Sequence, residues 1–114
     1  MPSATYELFL RAMREKKQVT CLYQSHRREL CPILLGRTRL EERSLVYQFG
    51  GSGSGGPIKP GGEWKCLRLA EVTEVTLRDG RWYDGDSHSS AASCMKMVEY
   101  DINPDSPYSP AFRL

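Results

Sequence analysis

Residues 45–69 read LVYQFGGSGSGGPIKPGGEWKCLRL, and this stretch decides the fold. Leu45 to Phe49 is a run of apolar, β-branched and aromatic residues in which Gln48 is the only polar member. Glu63 to Leu69 alternates, with Trp64, Cys66 and Arg68 on one side and Lys65, Leu67 and Leu69 on the other. Period two places each set on one face of a pleated sheet. The thirteen residues between, Gly50 to Gly62, hold seven Gly, two Ser and two Pro. Such a composition opposes regular structure, so the pattern predicts a hairpin closed by a long mobile loop. Gly51-Ser52-Gly53-Ser54-Gly55-Gly56 satisfies G-x-G-x-x-G, but in a dinucleotide site those glycines open a helix. Pro57-Ile58-Lys59-Pro60-Gly61-Gly62 cannot open one, and no Gly-Lys-Ser/Thr follows. The segment therefore reads as a mobile hairpin loop, ordered by a partner, and not as a nucleotide-phosphate loop.

Upstream, Ser3 to Lys17 has the period of an amphipathic helix, with Ser3 as N-cap and Glu7 in the first turn. Tyr6, Phe9, Leu10 and Met13 share one face, and Arg11, Arg14 and Glu15 lie mostly opposite. Val19 to Gln24 alternates as a strand, and Ser25 to Arg28 reads as a turn. Arg28 to Leu35 is a second strand broken by Pro32, which must sit at an edge or a bulge because proline lacks the ladder donor. The charged segment Arg37 to Arg43 is expected to be a loop.

Downstream, Ala70-Glu71-Val72 reads as a short helical turn and Glu74 to Arg78 as a fifth strand ended by Asp79-Gly80. Arg81-Trp82-Tyr83 is short enough to pair back. Residues 84–94 form a small, polar, mobile connection. Met95 to Asn103 is a last strand, and 104–114 is an extended tail docked by Tyr108 and Phe112. One helix followed by short antiparallel strands predicts a mainly β single domain, a small strongly bent antiparallel barrel over about 19–83. No helix alternates with the strands, which excludes a parallel α/β sheet.

The chain has 114 residues, 39% hydrophobic and 26% charged, enough to bury a core and too polar for a membrane protein. The N-terminal segment is too charged for a signal peptide, so a cytoplasmic location is expected. Cys21, Cys31, Cys66 and Cys94 lack zinc spacing. The first three lie in strand-like runs and read as small buried residues kept reduced. No cofactor is implied. His26 and His88 are the two histidines, one in a turn and one in a serine-rich loop, with no paired nucleophile. No carboxylate pair stands in an apolar setting, so the chain reads as not an enzyme. Residues 1–43 carry nine basic and five acidic side chains, and residues 44–114 carry seven and nine. The basic half suits an anionic ligand. Arg27, Arg28 and Arg68 with Tyr23, Tyr47 and Trp64 are the candidate binding residues, since arginine grips phosphate bidentately and aromatic faces stack on bases.

The order of features resembles the WYL domain, a bacterial and archaeal ligand-sensing module with an SH3-like, Sm-like barrel. The resemblance spans roughly residues 4–83. It rests on a helix before a strand ending in Tyr23, a basic strand with Glu29-Leu30-Cys31-Pro32, a strand with Val46-Tyr47-Gln48, and Trp64-Lys65-Cys66-Leu67-Arg68-Leu69. The family's Trp-Tyr-Leu stands here as Val46-Tyr47-Gln48. Its Phe-Arg-Leu-Asp-Arg-Ile stands as Leu67-Arg68-Leu69-Ala70-Glu71-Val72, which keeps Arg68 and replaces a second arginine by Glu71. The family's winged-helix DNA-binding domain has no counterpart in these residues. The resemblance implies a regulatory module, linked to transcription regulation, that senses a nucleotide, oligonucleotide or other phosphate-bearing ligand, with Arg68 as the principal contact. The alternative is a protein-interaction or homo-oligomerisation module acting through barrel edges and the C-terminal tail.

Overall fold

The structure is a computed structural model that describes residues 2–53, 55–58, 60–83, 95–103, 110 and 112–113. Helix α1, Ala4–Glu15, is capped by Ser3, whose side chain accepts the Tyr6 N–H at 3.1 Å. It stops at Lys16, which turns left-handed with φ 54° and donates its N–H to the Ala12 carbonyl. Tyr6, Phe9, Leu10 and Met13 are buried together as expected, joined by Ala12.

The strands are β1 (Gln18–Tyr23), β2 (His26–Thr38), β3 (Glu41–Gly53), β4 (Gly56–Pro57), β5 (Glu63–Arg68), β6 (Val72–Arg78), β7 (Met97–Asp101) and β8 (Phe112–Arg113). A 3-10 turn, Leu69–Glu71, joins β5 to β6 where a helical turn was expected one residue later. The central order is β5-β3-β2-β1-β6, and every pair within it is antiparallel. The parallel pair β7–β8 lies outside it.

The sheet bends strongly but does not close into a barrel. The reason lies in the 3-10 turn. It carries the chain from one edge strand, β5, straight to the opposite edge strand, β6, so the two edges must curl toward each other. A side chain spans the gap instead of a ladder: the Tyr23 hydroxyl on β1 accepts the N–H of Arg68, the last residue of β5, at 3.2 Å.

Several segments differ from the sequence expectation. Arg37 to Arg43 is not a loop but the paired arms of the β2–β3 hairpin, in register from Arg37↔Glu42 to Thr38↔Glu41. Charged side chains flank the strand core there and hide its period. The turn uses Arg39 at φ 55°. Part of the glycine run is strand and not loop, because β3 extends through Gly53 and pairs Ser52 with Pro57 and Gly53 with Gly56. Backbone pairing among small residues forms that tip, so no alternation of side chains announces it. Pro32, by contrast, sits at a bulge, one of the two places expected for it, since register shifts between Pro32 and Leu34. This bend lets β2 leave β1 after Leu30 and take β7 as its new neighbour from Leu34 to Arg37. Gly36 permits the close approach, since a Cβ there would lie 2.1 Å from the Met97 carbonyl oxygen.

Arg81 to Tyr83 forms no strand. The Arg81 carbonyl accepts the Gln18 side-chain amide at 2.7 Å, and the Tyr83 N–H approaches Cys31 Sγ at 3.4 Å. Phe112 stacks on Tyr100 at 5.1 Å, as a docked tail requires. The expectations for residues 84–94, His88, Cys94 and Tyr108 lie outside the described residues. Cys21 and Cys31 are buried, as expected. Cys66 departs from its expectation: it points outward beside Trp64, is exposed, and is disulfide-bonded.

Helix α1 covers the inner face of the bent sheet. There Phe9, Met13, Val19, Leu30, Leu35, Val46, Leu67 and Leu69 form the main core. A second cluster of Leu34, Leu45, Met95 and Val98 sits where β7 joins. No helix among the described residues is long and apolar enough to cross a membrane.

Candidate functional site

Following the inner face along its strands leads from the apolar core to a polar end. On β2 the next inward position before Leu30 is Arg28. On β3 the one after Val46 is Gln48, and on β5 the one before Leu67 is Lys65. The register confirms the placement, pairing Leu30 with Gln48 and Val46 with Lys65.

Arg28 is the unusual member, at 3% exposure. Its Nε donates to the Tyr23 carbonyl at 3.3 Å and its Nη1 to Gln48 Oε1 at 3.1 Å. Its guanidinium lies 5.0 Å from the centre of the Tyr23 ring. All of these partners are neutral, and no carboxylate pairs with Arg28 among the described residues. A buried charge without a counter-charge costs several kcal/mol even when hydrogen-bonded, and the ring face offsets only part of it. Gln48 is held in turn, its amide donating to the Gly50 carbonyl at 2.9 Å and the Ser52 carbonyl at 3.1 Å. The polar network thus anchors the glycine-rich tip over Arg28.

Gly53 completes the arrangement. A Cβ at Gly53 would lie 3.5 Å from Arg28 Nη1, 3.8 Å from Arg28 Nη2 and 3.8 Å from Lys65 Nζ. Three cationic nitrogens therefore converge on one point that only glycine leaves empty. Lys65 also approaches Glu63 at 3.6 Å. His26 shares the Arg28 face of β2, two residues away, and its Nδ1 lies 3.3 Å from Ser52 Oγ at the rim. The field of this cluster reaches the core: burial pushes the Cys21 thiol up to about 11, while the Arg28 and Arg27 charges oppose the rise.

The other expected site residues are dispersed. Arg27 faces outward and is exposed. Tyr23 is buried with the core and serves Arg28 and Arg68 through its carbonyl and hydroxyl. Tyr47 and Trp64 pair directly across β3 and β5 on the outer face, edge to face at 5.3 Å. Gly62 packs on the Tyr47 ring, where a Cβ would come within 2.6 Å. The Tyr47–Trp64 pair therefore lies on the face opposite Arg28, whose only aromatic neighbour among the described residues is Tyr23.

Arg68 lies on the outer face, which is solvent-facing and not core, so its charge there is in place. Its Nε pairs with Glu41 at 2.8 Å and its Nη1 with Glu71 at 3.4 Å, the kind of ion pair that a structural arginine makes. Arg43 pairs with the same Glu41 at 2.7 Å. Hydrogen bonding from Arg43, then the charges of Arg43 and Arg68, hold the Glu41 carboxyl below the usual carboxylate range.

Sequence reading missed Lys65, Gln48 and Gly53 as site residues. Two of them carried a signal: Lys65 alternates in phase with the core residue Leu67, and Gln48 is a lone polar residue in an apolar strand. Gly53 carried none, because seven glycines look alike until the register is known. Among the described residues no group of three or more His, Cys, Asp or Glu side chains is placed to hold a metal. The chain matches no protein-family model, no curated protein and no solved structure.

Proposed function

We propose that this protein is a non-enzymatic regulatory module that binds a phosphate-bearing ligand, a nucleotide or an oligonucleotide, at the polar end of the inner face. One observation carries the reading: the Arg28 guanidinium, almost wholly buried and facing only neutral partners, meets Lys65 at the empty position over Gly53. The buried Arg28 guanidinium stabilises an anion more than a surface lysine does, and Lys65, partly exposed and also paired with Glu63, adds its charge at the same point. This device is different from a glycine-rich fingerprint at a helix terminus. Gly53 acts by lacking a side chain, and the charge comes from neighbouring strands. The resemblance to the ligand-sensing WYL domain points to the same ligand class.

The test is titration calorimetry with inorganic phosphate, a nucleoside triphosphate and a short single-stranded oligonucleotide. Affinity should fall with salt, with a log–log slope of roughly 0.7–0.9 per neutralised phosphate. Gly53→Ala adds a methyl group in ordinary contact with Arg28, so the fold should hold while affinity falls at least about tenfold. Arg68→Ala should leave affinity unchanged. Binding that survives both Gly53→Ala and Lys65→Met but disappears in Arg68→Ala would refute this site and move it to the outer face.

A further inference from the structure

The tip of the β2–β3 hairpin carries a second surface, independent of the Arg28 cradle. Leu40 is 97% exposed there, the most exposed of the large hydrophobic residues among those described. A side chain of that size in water gains nothing for the monomer. It lines two hollows. The larger, about 580 Å³, is lined by Thr38, Arg39, Leu40, Glu41, Arg43 and Arg68. The smaller, about 240 Å³, shares Leu40 and Glu41 and is also lined by Ser3, Arg37, Glu42 and Ala70.

The charge of the larger hollow is one-sided. Three guanidiniums face one carboxylate, and that carboxylate is held by both Arg43 and Arg68. Arg68 shares a second acid, Glu71, outside the hollow. Arg39 makes no ion pair among the described residues. The left-handed turn at Arg39 presents it beside Leu40 at the apex. The tip therefore combines an unpaired guanidinium with an apolar knob, and the hollow is of side-chain size and not of single-ion size.

The geometry points to a docking site for an acidic peptide segment of a partner protein, one that sets a carboxylate on Arg39 and an apolar side chain against Leu40. Charge complementarity selects the acidic partner over a second copy of this chain, which would bring the same arginines face to face. Arginine beside an apolar anchor is also the composition that concentrates binding energy at interfaces.

The probe is a labelled hexapeptide of alternating Glu and Leu, compared with one of alternating Lys and Leu, by fluorescence anisotropy. The acidic peptide should bind and the basic one should not. Arg39→Glu and Leu40→Ser change exposed turn residues, leave the fold intact by circular dichroism, and should each weaken acidic-peptide binding at least about tenfold. Gly53→Ala should leave it unchanged, and inorganic phosphate should not compete, which separates this site from the cradle. The proposal is overturned if the two peptides bind alike or not at all, or if both tip variants bind as the parent does. Loss of binding in Gly53→Ala would also overturn it, by assigning the peptide to the cradle. A concentration-dependent mass abolished by Leu40→Ser, with no peptide binding, would overturn it in favour of self-association.

Discussion

The two ends of the inner face are made from the same strands and do opposite things. Under α1 the sheet presents Leu30, Leu35, Val46 and Leu67, all at or below 1% exposure. One step further along the strands it presents Arg28, Gln48 and Lys65. The first end stabilises the molecule by removing apolar area from water. The second gains little of that and carries a buried charge. A protein selected only for stability would continue the apolar stripe, as replacement of buried ionic groups by well-packed apolar ones is often stabilising. On the function proposed above, stability belongs to one end and recognition to the other.

The sharpest way to break this division is truncation at each end. Phe9→Ala, in the fully buried face of α1, should cost about 3–5 kcal/mol in urea unfolding. An effect under about 1 kcal/mol would mean that α1 is only loosely docked.

The apolar end also sets the alkaline limit. Burial first, and then the hydrogen bond to Glu99, push the Tyr6 hydroxyl well above its ordinary value of 10.0. The folded state thus keeps a proton that the unfolded chain releases. This contribution is whole below about pH 10 and is lost as pH rises beyond it. Tyr6→Phe should flatten the fall in melting temperature above pH 10. An unchanged alkaline slope would assign that slope to other groups, the buried Cys21 thiol among them.

At the polar end, Arg28→Met should cost about 1–3 kcal/mol, through the Tyr23 carbonyl and Gln48 left without a donor. The parent should show a phosphate-dependent rise in melting temperature, and the variant should lose it. If the parent shows no such rise while Arg28→Met proves more stable than the parent, the charge serves neither end and the division fails. The smallest effect belongs outside the trough. Arg68→Ala, with its side chain 52% exposed, should cost below about 1 kcal/mol and decline further with salt.

How far the sequence could anticipate these outcomes depends on what kind of signal each feature leaves. The helix face and the strand runs were legible because burial imposes periods of 3.6 and 2 on side chains. The open sheet was not, because closure depends on whether β5 and β6 meet, and no single residue reports that. The β2–β3 hairpin was hidden by Arg37, Glu41, Glu42 and Arg43, whose charges are satisfied by ion pairs along the strand arms. For the site, Arg27 and Arg28 are equivalent in sequence. Only the register that pairs Leu22 with Arg27 and Cys21 with Arg28 turns one outward and the other inward. Arg68 stood out through the resemblance to the WYL domain, and the ion pairs it makes with Glu41 and Glu71 depend on strand pairing that its own segment does not reveal.

The handover of β2 from β1 to β7 has a consequence for solubility. After Pro32 the flank of β2 that faced β1 would otherwise be a bare row of donors and acceptors on a strand reading Ile33-Leu34-Leu35. Unpaired edges of that composition recruit other chains into aggregates. β7 covers it, and the two-residue β8 covers Tyr100 and Asp101 of β7 in turn. The C-terminal strands are thus the chain's own protection against edge-to-edge growth. A version ended before Met95 should scatter light on standing at concentrations where the whole chain stays clear, and equal clarity of the two would show that the edge is harmless.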